Sequence, residues 1–152
     1  MRSKVSLAVA VLLSVTTVPL CASNIDEKPA DLQSIQALEA RADVAQPREQ
    51  CFLYAELVHQ MTELSVRQYA SGDVDNANSM LKRIQQLAQK IHLSIAVNDK
   101  RMKDAEILLR HTAFRLNEML HGANFEDHDL VQAALSDVNQ AQNEAMMHVF
   151  SK

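Results

Sequence analysis

Turn-forming residues are almost absent from this chain, which contains only two glycines and three prolines among 152 residues. A sheet protein needs many tight turns, and glycine and proline supply a large share of them. Tryptophan is absent and aromatic residues make up only 4%, so leucine, isoleucine, valine, methionine and alanine must build the core. Most of these residues are good helix formers. The sequence therefore predicts an all-α protein.

The first 22 residues differ from the rest of the chain and have the layout of a secretory signal peptide. Arg2 and Lys4 give a basic start, residues 5–18 form a mostly apolar run, and the small Ala22 suits cleavage. We therefore expect a signal peptide at residues 1–22, cleaved near Ala22, and a mature protein that is periplasmic or secreted.

Two other interpretations of this N-terminal segment are disfavoured. A membrane anchor needs an apolar run of roughly 20 residues, and this run is about 14 residues long. A lipoprotein needs a small residue before Cys21, and Leu20 stands there instead. We therefore expect no membrane span in the mature protein.

Cleavage would make the protein more acidic and leave it with one cysteine. The loss of Arg2 and Lys4 from 15 basic residues, with all 19 acidic residues kept, moves the net charge from −4 to −6. This charge argues against nucleic acid as a main partner. Cys51 then has no mature partner within the chain, so it is either buried or available for an intermolecular bond. Burial is the commoner fate of a free cysteine.

Residues 23–46 are predicted to lead into the main fold. Leu32, Ile35 and Leu38 recur at intervals of three residues, which indicates a short amphipathic helix over residues 31–44. Pro47 interrupts this helix, because proline cannot continue a helix that it does not begin.

Residues 47–152 are predicted to form four longer helices. Their similar lengths and short connections favour an antiparallel up-down-up-down four-helix bundle, to which the N-terminal helix is a short addition. Whether helices B and C are separate or continuous stays open, because the break between them at residues 98–99 is weak. The predicted ranges are 47–71 for helix A, 73–97 for helix B, 100–121 for helix C and 124–150 for helix D.

Local signals support these boundaries. Pro47 suits the first turn of helix A. Gly72 can supply the left-handed residue that ends helix A, and Gly122 ends helix C. Asn124 with Asp127 three residues later resembles a capping pair that opens helix D.

Each of the four helices carries one apolar face that can point to a shared core. We expect the methionines on these faces to pack in the core rather than to bind metal through sulfur. The faces consist of Leu53, Leu57, Met61 and Leu64 in helix A; Ala77, Met80, Leu81, Ile84, Leu87, Ala88, Ile91 and Ile95 in helix B; Ala105, Leu108, Leu109, Thr112, Leu116, Met119 and Leu120 in helix C; and Val131, Ala134, Leu135, Val138, Ala141, Ala145 and Val149 in helix D.

The charges are divided by helix. Residues 77–97 carry the bases Lys82, Arg83 and Lys90 and no acid, whereas residues 122–150 carry five acids and neither lysine nor arginine. We expect helices B and D to be complementary neighbours, although exposed ion pairs contribute little to stability. The alternative is two separate surfaces for charged partners.

Helix C has an unusual outer side. Ile107, Phe114 and His121 recur at intervals of seven residues on the side opposite its apolar core face. We expect an apolar row on the side of the helix that should face water to be buried by another part of the protein or by a partner. Either the N-terminal helix or a second subunit could bury it.

The sequence Glu-x-x-His occurs twice, as Glu56 with His59 and as Glu118 with His121. In ferritin-like di-metal proteins this spacing directs a carboxylate and an imidazole to a metal inside the bundle, and such ligands suit iron, manganese or zinc. Two points argue against such a site here. Helix B has no acid across its core, residues 77–97, to complete the ligand set, and Glu56 and Glu118 lie on the polar sides of their helices.

No other motif for catalysis or cofactor binding is present. The chain has no nucleophile with an adjacent base, and it lacks the haem, phosphate-loop and paired-cysteine motifs. We therefore expect no enzymatic activity and no cofactor. The leading prediction is an exported scaffold, adaptor or chaperone-like binder that contacts a protein partner or its own copy through Ile107, Phe114 and His121. A metal sensor, buffer or di-metal oxidase is the second prediction, and a carrier of a small ligand is the third.

Overall fold

A computed structural model describes residues 29–95 and 100–151 of the chain. In this part of the protein every regular element is an α-helix and there is no strand, which confirms the all-α prediction. Each predicted helix is present, and the ends that fall on described residues differ from the prediction by at most two residues; the predicted end of helix B at residue 97 lies outside the described residues. The helices are α1 (Leu32–Val44), α2 (Pro47–Ala70), α3 (Val74–Ile95), α4 (Met102–Gly122) and α5 (Phe125–Phe150).

Two predictions lie outside the described residues. They are the signal peptide at residues 1–22 and the break at residues 98–99. Among the helices of the described residues, none is both long enough and apolar enough to cross a membrane.

The central helix of the fold is α2, because it packs against α1, α3 and α4. On the far side, α5 packs against α3 and α4. Within the described ranges, α3 and α4 do not pack extensively on each other, although they follow one another in the chain. The four long helices therefore form two consecutive pairs, α2 with α3 and α4 with α5, that lie side by side.

Side-chain contacts show that α2 and α4 run in the same direction. The Cys51 sulfur lies 3.8 Å from the Met102 sulfur near the start of both helices. The Ser65 hydroxyl lies 3.8 Å from the Met119 sulfur near their ends. α2 and α4 therefore lie parallel and side by side over most of their length.

The other two long helices, α3 and α5, also run in the same direction. Asn78 meets Asp127 near their starts, and His92 meets Glu144 near their ends. Consecutive long helices pack on each other in two cases, α2 with α3 and α4 with α5. The consecutive helices α3 and α4 differ, because each of them packs mainly on α2 and α5.

The first helix begins with a complete capping box. The Asp31 carboxylate accepts a hydrogen bond from the Ser34 amide at 2.7 Å, and the Ser34 hydroxyl oxygen accepts one from the Asp31 amide at 3.0 Å. These bonds satisfy two backbone donors that a helix start otherwise leaves without partners. The beginning of α1 is therefore well defined by its own sequence.

Gly72 ends α2, as predicted. Its φ of 84° lies in the left-handed region, which costs glycine little because it has no Cβ. The Gly72 amide donates to the Tyr69 carbonyl at 3.1 Å and the Asp73 amide donates to the Gln68 carbonyl at 2.9 Å. This pair of bonds is the Schellman motif, and it allows only three residues to separate α2 from α3.

The core consists mainly of aliphatic side chains and draws on all five helices. Nearly all of the predicted apolar faces are buried, which confirms the assignment of the inner side of each long helix. The exceptions are half-buried: Leu64, Met80, Leu108, Leu120 and Val149.

The predicted buried face of α2 was too narrow. Residues 51–55 are all buried, so α2 is enclosed on more than one side. The reason is that α1, α3 and α4 all pack on it. Cys51 is among these residues and is fully buried, the commoner of the two expected outcomes.

The predicted capping pair at the start of α5 does not form. Asn124 is the N-cap residue, but its side chain makes no capping hydrogen bond. The Asp127 carboxylate turns inward and accepts hydrogen bonds from Tyr69 at 3.2 Å and from Asn78 at 2.7 Å. These donors from α2 and α3 compete successfully with the local cap.

The bases of α3 also bind differently from the prediction. α3 and α5 are neighbours, but Arg83 pairs with Glu39 and the Lys90 ammonium lies 3.2 Å from the Asp43 carboxylate. Both acids belong to α1, which therefore lies on α2 toward α3. For these two bases the expected pairing with the acids of α5 was wrong, because α1 supplies closer carboxylates.

Candidate functional site

The three predicted contact residues of α4 differ in their exposure. Phe114 is 62% exposed, His121 is also exposed, and Ile107 is half-buried. Residues seven positions apart on a helix lie on the same side of it. We call Ile107, Phe114 and His121 the α4 row.

The N-terminal helix does not cover Phe114. α1 packs on α2, where Ile35, Leu38 and Ala42 are buried. Its acidic side chains bind bases of α3, which holds it toward that helix. Of the two covers considered for the α4 row, α1 therefore does not shield Phe114, whose ring is 62% exposed.

Two neighbouring depressions lie between α2 and α4, beside the α4 row. The first has a volume of about 590 Å³ and includes Ile107 in its wall. The second has a volume of about 530 Å³ and includes Phe114. Because His59 and Glu63 line both of them, the two depressions form one shallow groove. The apolar members of the α4 row thus stand along a concave surface.

His59 is held at the floor of this groove by α4. Its Nδ1 lies 3.2 Å from the Thr112 hydroxyl oxygen, and that hydroxyl lies 2.8 Å from the Leu108 carbonyl oxygen. Because a carbonyl oxygen can only accept, the Thr112 hydroxyl donates to Leu108, and His59 Nδ1 donates to Thr112. This arrangement fixes the imidazole ring and its tautomer.

Arg115 closes the edge of the groove with two carboxylates. Its Nε lies 2.8 Å from Glu63 Oε1 on α2, and its Nη1 lies 2.5 Å from Glu118 Oε2 one turn further along α4. Hydrogen bonding to Glu63, and then to Glu118, raises the pKa of the Arg115 guanidinium. The three charges tie α2 to α4 next to Phe114.

Arg101 lies at the other end of the groove. Its guanidinium carbon is 3.3 Å from the centre of the Phe52 ring, and its Nε is 3.0 Å from an Asp104 oxygen. A guanidinium stacked on an aromatic face is attracted by the electrons of the ring. Sequence reasoning missed this contact, because Arg101 lies at the start of α4 and no spacing rule connects it to a residue in α2.

The first predicted metal-ligand pair is engaged with other groups. The Glu56 carboxylate lies 3.4 Å from the Arg41 guanidinium of α1, and His59 donates to Thr112. Both side chains are partly exposed and line the first depression. They belong to the groove between α2 and α4 and not to the core.

The second predicted pair is engaged as well. Glu118 is bound by Arg115, and the His121 Nδ1 donates to the Asn117 carbonyl at 2.6 Å. Both residues are exposed. Since His59 is level with Thr112, His121 lies about 13 Å further along α4 at 1.5 Å per residue. The structure therefore does not bring the two Glu-x-x-His pairs together, and residues 29–95 and 100–151 contain no group of three His, Cys, Asp or Glu placed to hold a metal ion.

No protein-family model, curated protein or solved structure matches the chain. What the groove offers chemically is an exposed aromatic ring, a second apolar side chain and several fixed charges along one helix.

Proposed function

We propose that this chain is an exported helical protein that acts by binding a protein surface through the α4 row, as a scaffold, adaptor or chaperone-like binder and not as a catalyst. The observation that carries this proposal is the exposure of Phe114, 62% of whose surface is open to water in the middle of a long, regular helix. Water contact with an aromatic ring is unfavourable, and a partner that covers the ring removes it.

The surroundings of Phe114 fit a contact surface. Aromatic residues and arginines dominate the energetics of protein interfaces, and Arg110 and Arg115 line the same depression as Phe114. Arg115 is already held in place by Glu63 and Glu118. A partner would therefore meet a surface whose long side chains are partly ordered before binding, which lowers the entropic cost of association.

The fold is suited to such a role because α4 is supported by α2 and α5. We propose that α2–α5 form a single up-down-up-down four-helix bundle with α1 as an added helix. The packing of α2 and α5 on both α3 and α4 supports this arrangement, as do the shared directions of α2 with α4 and of α3 with α5.

Export through a cleaved leader is the second part of the proposal, with a periplasmic or secreted mature protein. Its support is the basic start, the apolar run and the small residues around Ala22. The intact mass of the protein recovered from expressing cells tests it. We expect a mass that lacks residues 1–22, whereas a full-length mass in every fraction would contradict export by this route.

The contact itself is tested by photo-crosslinking in cells that naturally produce the protein. A benzoylphenylalanine at position 114 should give covalent adducts with a protein, either another species or a second copy. The matched control places the same probe at Leu93, which is 73% exposed on α3. Equal yields at the two positions would overturn the proposed contact surface.

A further inference from the structure

The α4 row has a symmetry that points to one partner. We propose that α4 binds α4 of a second copy of this chain, with the two helices antiparallel and the two Phe114 rings facing each other on a two-fold axis. This inference rests on the proposed function, because it names the partner of the same surface.

The spacing of the row carries the first step. Ile107 precedes Phe114 by seven residues and His121 follows it by seven. An antiparallel pair centred on Phe114 therefore places Ile107 of each copy against His121 of the other. Seven-residue spacing is also what keeps side chains along the seam between two packed helices. A two-fold contact of this kind uses one surface patch twice and closes on itself.

Charge complementarity carries the second step. Arg110 and Glu118 lie four residues before and four residues after Phe114, and their side chains are 61% and 47% exposed. In the antiparallel pair each Arg110 lies level with Glu118 of the other copy, where that carboxylate can bind it in addition to Arg115 of its own chain. In a parallel pair Arg110 would face Arg110 and Glu118 would face Glu118. Like charges placed opposite each other disfavour that alternative.

The groove carries the third step. The depression of about 530 Å³ is lined by Phe114 together with His111 and Arg110. A ring from a second copy that packs against Phe114 across the two-fold axis therefore enters a space that α2 and α4 leave open. A helix with a central exposed aromatic residue and a depression beside it can bury that residue against a partner without rearranging its own core.

Disulfide crosslinking tests the register directly. The cysteine variants keep the Phe114 ring and are made in a Cys21→Ser background, where the remaining Cys51 is fully buried. Under mild oxidation, Ile107→Cys alone and His121→Cys alone should not form disulfide-linked dimers. In each of these variants the two equal positions are separated by about 21 Å along the helices, far beyond the roughly 7 Å that a disulfide allows between Cα atoms. A mixture of the two variants should form the mixed dimer.

The controls separate this proposal from the previous one. Leu93→Cys has an exposed position on α3 and measures random collision. Light scattering of the unsubstituted protein should give twice the mass of one chain. A single-chain mass, or crosslinking of the mixed Ile107→Cys and His121→Cys variants no faster than that of Leu93→Cys, would overturn the dimer. If photo-crosslinks at position 114 to a different protein then persist, the proposed function stands and only its self-pairing form fails. Rapid crosslinking of Ile107→Cys with itself would overturn the antiparallel register.

Discussion

The Tyr69 hydroxyl donates a hydrogen bond of 3.2 Å to the Asp127 carboxylate, and this contact joins the end of α2 to the first turn of α5. The same hydroxyl oxygen accepts a 2.7 Å hydrogen bond from the Asn124 amide, and the other Asp127 oxygen accepts one from Asn78. Asp127 is only 9% exposed. One phenol and one carboxylate thus connect α2, α3, α5 and the turn before α5.

Replacing Tyr69 by phenylalanine should therefore destabilise the protein. The change removes one donor to the buried Asp127 carboxylate and one acceptor for the exposed Asn124 amide. A buried group that loses its hydrogen-bond partner costs about 1–3 kcal/mol. Urea unfolding measures the loss. Tyr54→Phe is the matched control, because the Tyr54 hydroxyl meets the exposed Asp43 at 3.2 Å. An equal loss in the two variants would contradict the role of the Tyr69 network.

The two glycines of the chain should respond in opposite ways to alanine. Gly72 has a φ of 84°, a conformation that costs other residues about 1–2 kcal/mol. Gly122 is the last residue of α4 and has no positive φ, and at neither glycine would a Cβ meet another atom within 4 Å. Gly72→Ala should therefore lower the free energy of unfolding by about 1 kcal/mol, whereas Gly122→Ala should leave it equal or slightly higher. Comparable losses at both positions would argue against the Schellman motif as the source.

The stability contributed by Glu144 should depend on pH. The hydrogen bond from His92 lowers the pKa of the Glu144 carboxyl below its ordinary value of 4.5, and Gln140 adds to the effect. A carboxyl whose pKa is lowered by folding stabilises the fold above its unfolded pKa, and this contribution disappears as the pH falls through the lowered value. Because the His92–Glu144 pair is near the surface, it should contribute only about 0.5 kcal/mol to the free energy of unfolding.

Unfolding of the wild-type protein and of Glu144→Gln between pH 7 and pH 3 checks this expectation. The wild type should be more stable at pH 7, and the two curves should converge as the pH falls below 4.5. A difference that stays constant over this range would show that ionisation of Glu144 is not the cause.

Replacing Phe114 by serine should change association and not folding. The ring is 62% exposed, so its loss should alter the free energy of unfolding by no more than about 0.5 kcal/mol. The mass from light scattering should fall to that of one chain. Phe125→Ser is the control, since Phe125 is 97% exposed at the start of α5, and its mass should not change. A Phe114→Ser protein with the mass of the wild type would contradict the contact.

The helices could be predicted closely because their signals are local. Asp31, Pro47 and Gly72 each fix a helix end through bonds or angles within a few residues. The apolar faces could be predicted equally well, since the apolar residues of each face repeat with the period of a helix. These features depend on neighbours in the sequence and not on how the helices meet.

The tertiary partners could not be predicted in the same way. Arg83 and Lys90 were expected to face the acids of α5, but α1 provides Glu39 and Asp43 instead. Asp127 reads as a capping residue by its spacing, yet it binds a tyrosine that is far away in the chain. In each case a local rule competes with a long-range partner, and only the folded arrangement decides between them.

The placement of α1 has a consequence for where this protein can be shortened. Ile35, Leu38 and Ala42 are buried on α2, and Arg41 reaches Glu56 across the same contact. A chain that began at Pro47 would keep all four long helices, but it would expose to solvent the side of α2 that α1 buries. Such a fragment would be prone to aggregate, so the smallest well-behaved unit starts ahead of Asp31 and its cap.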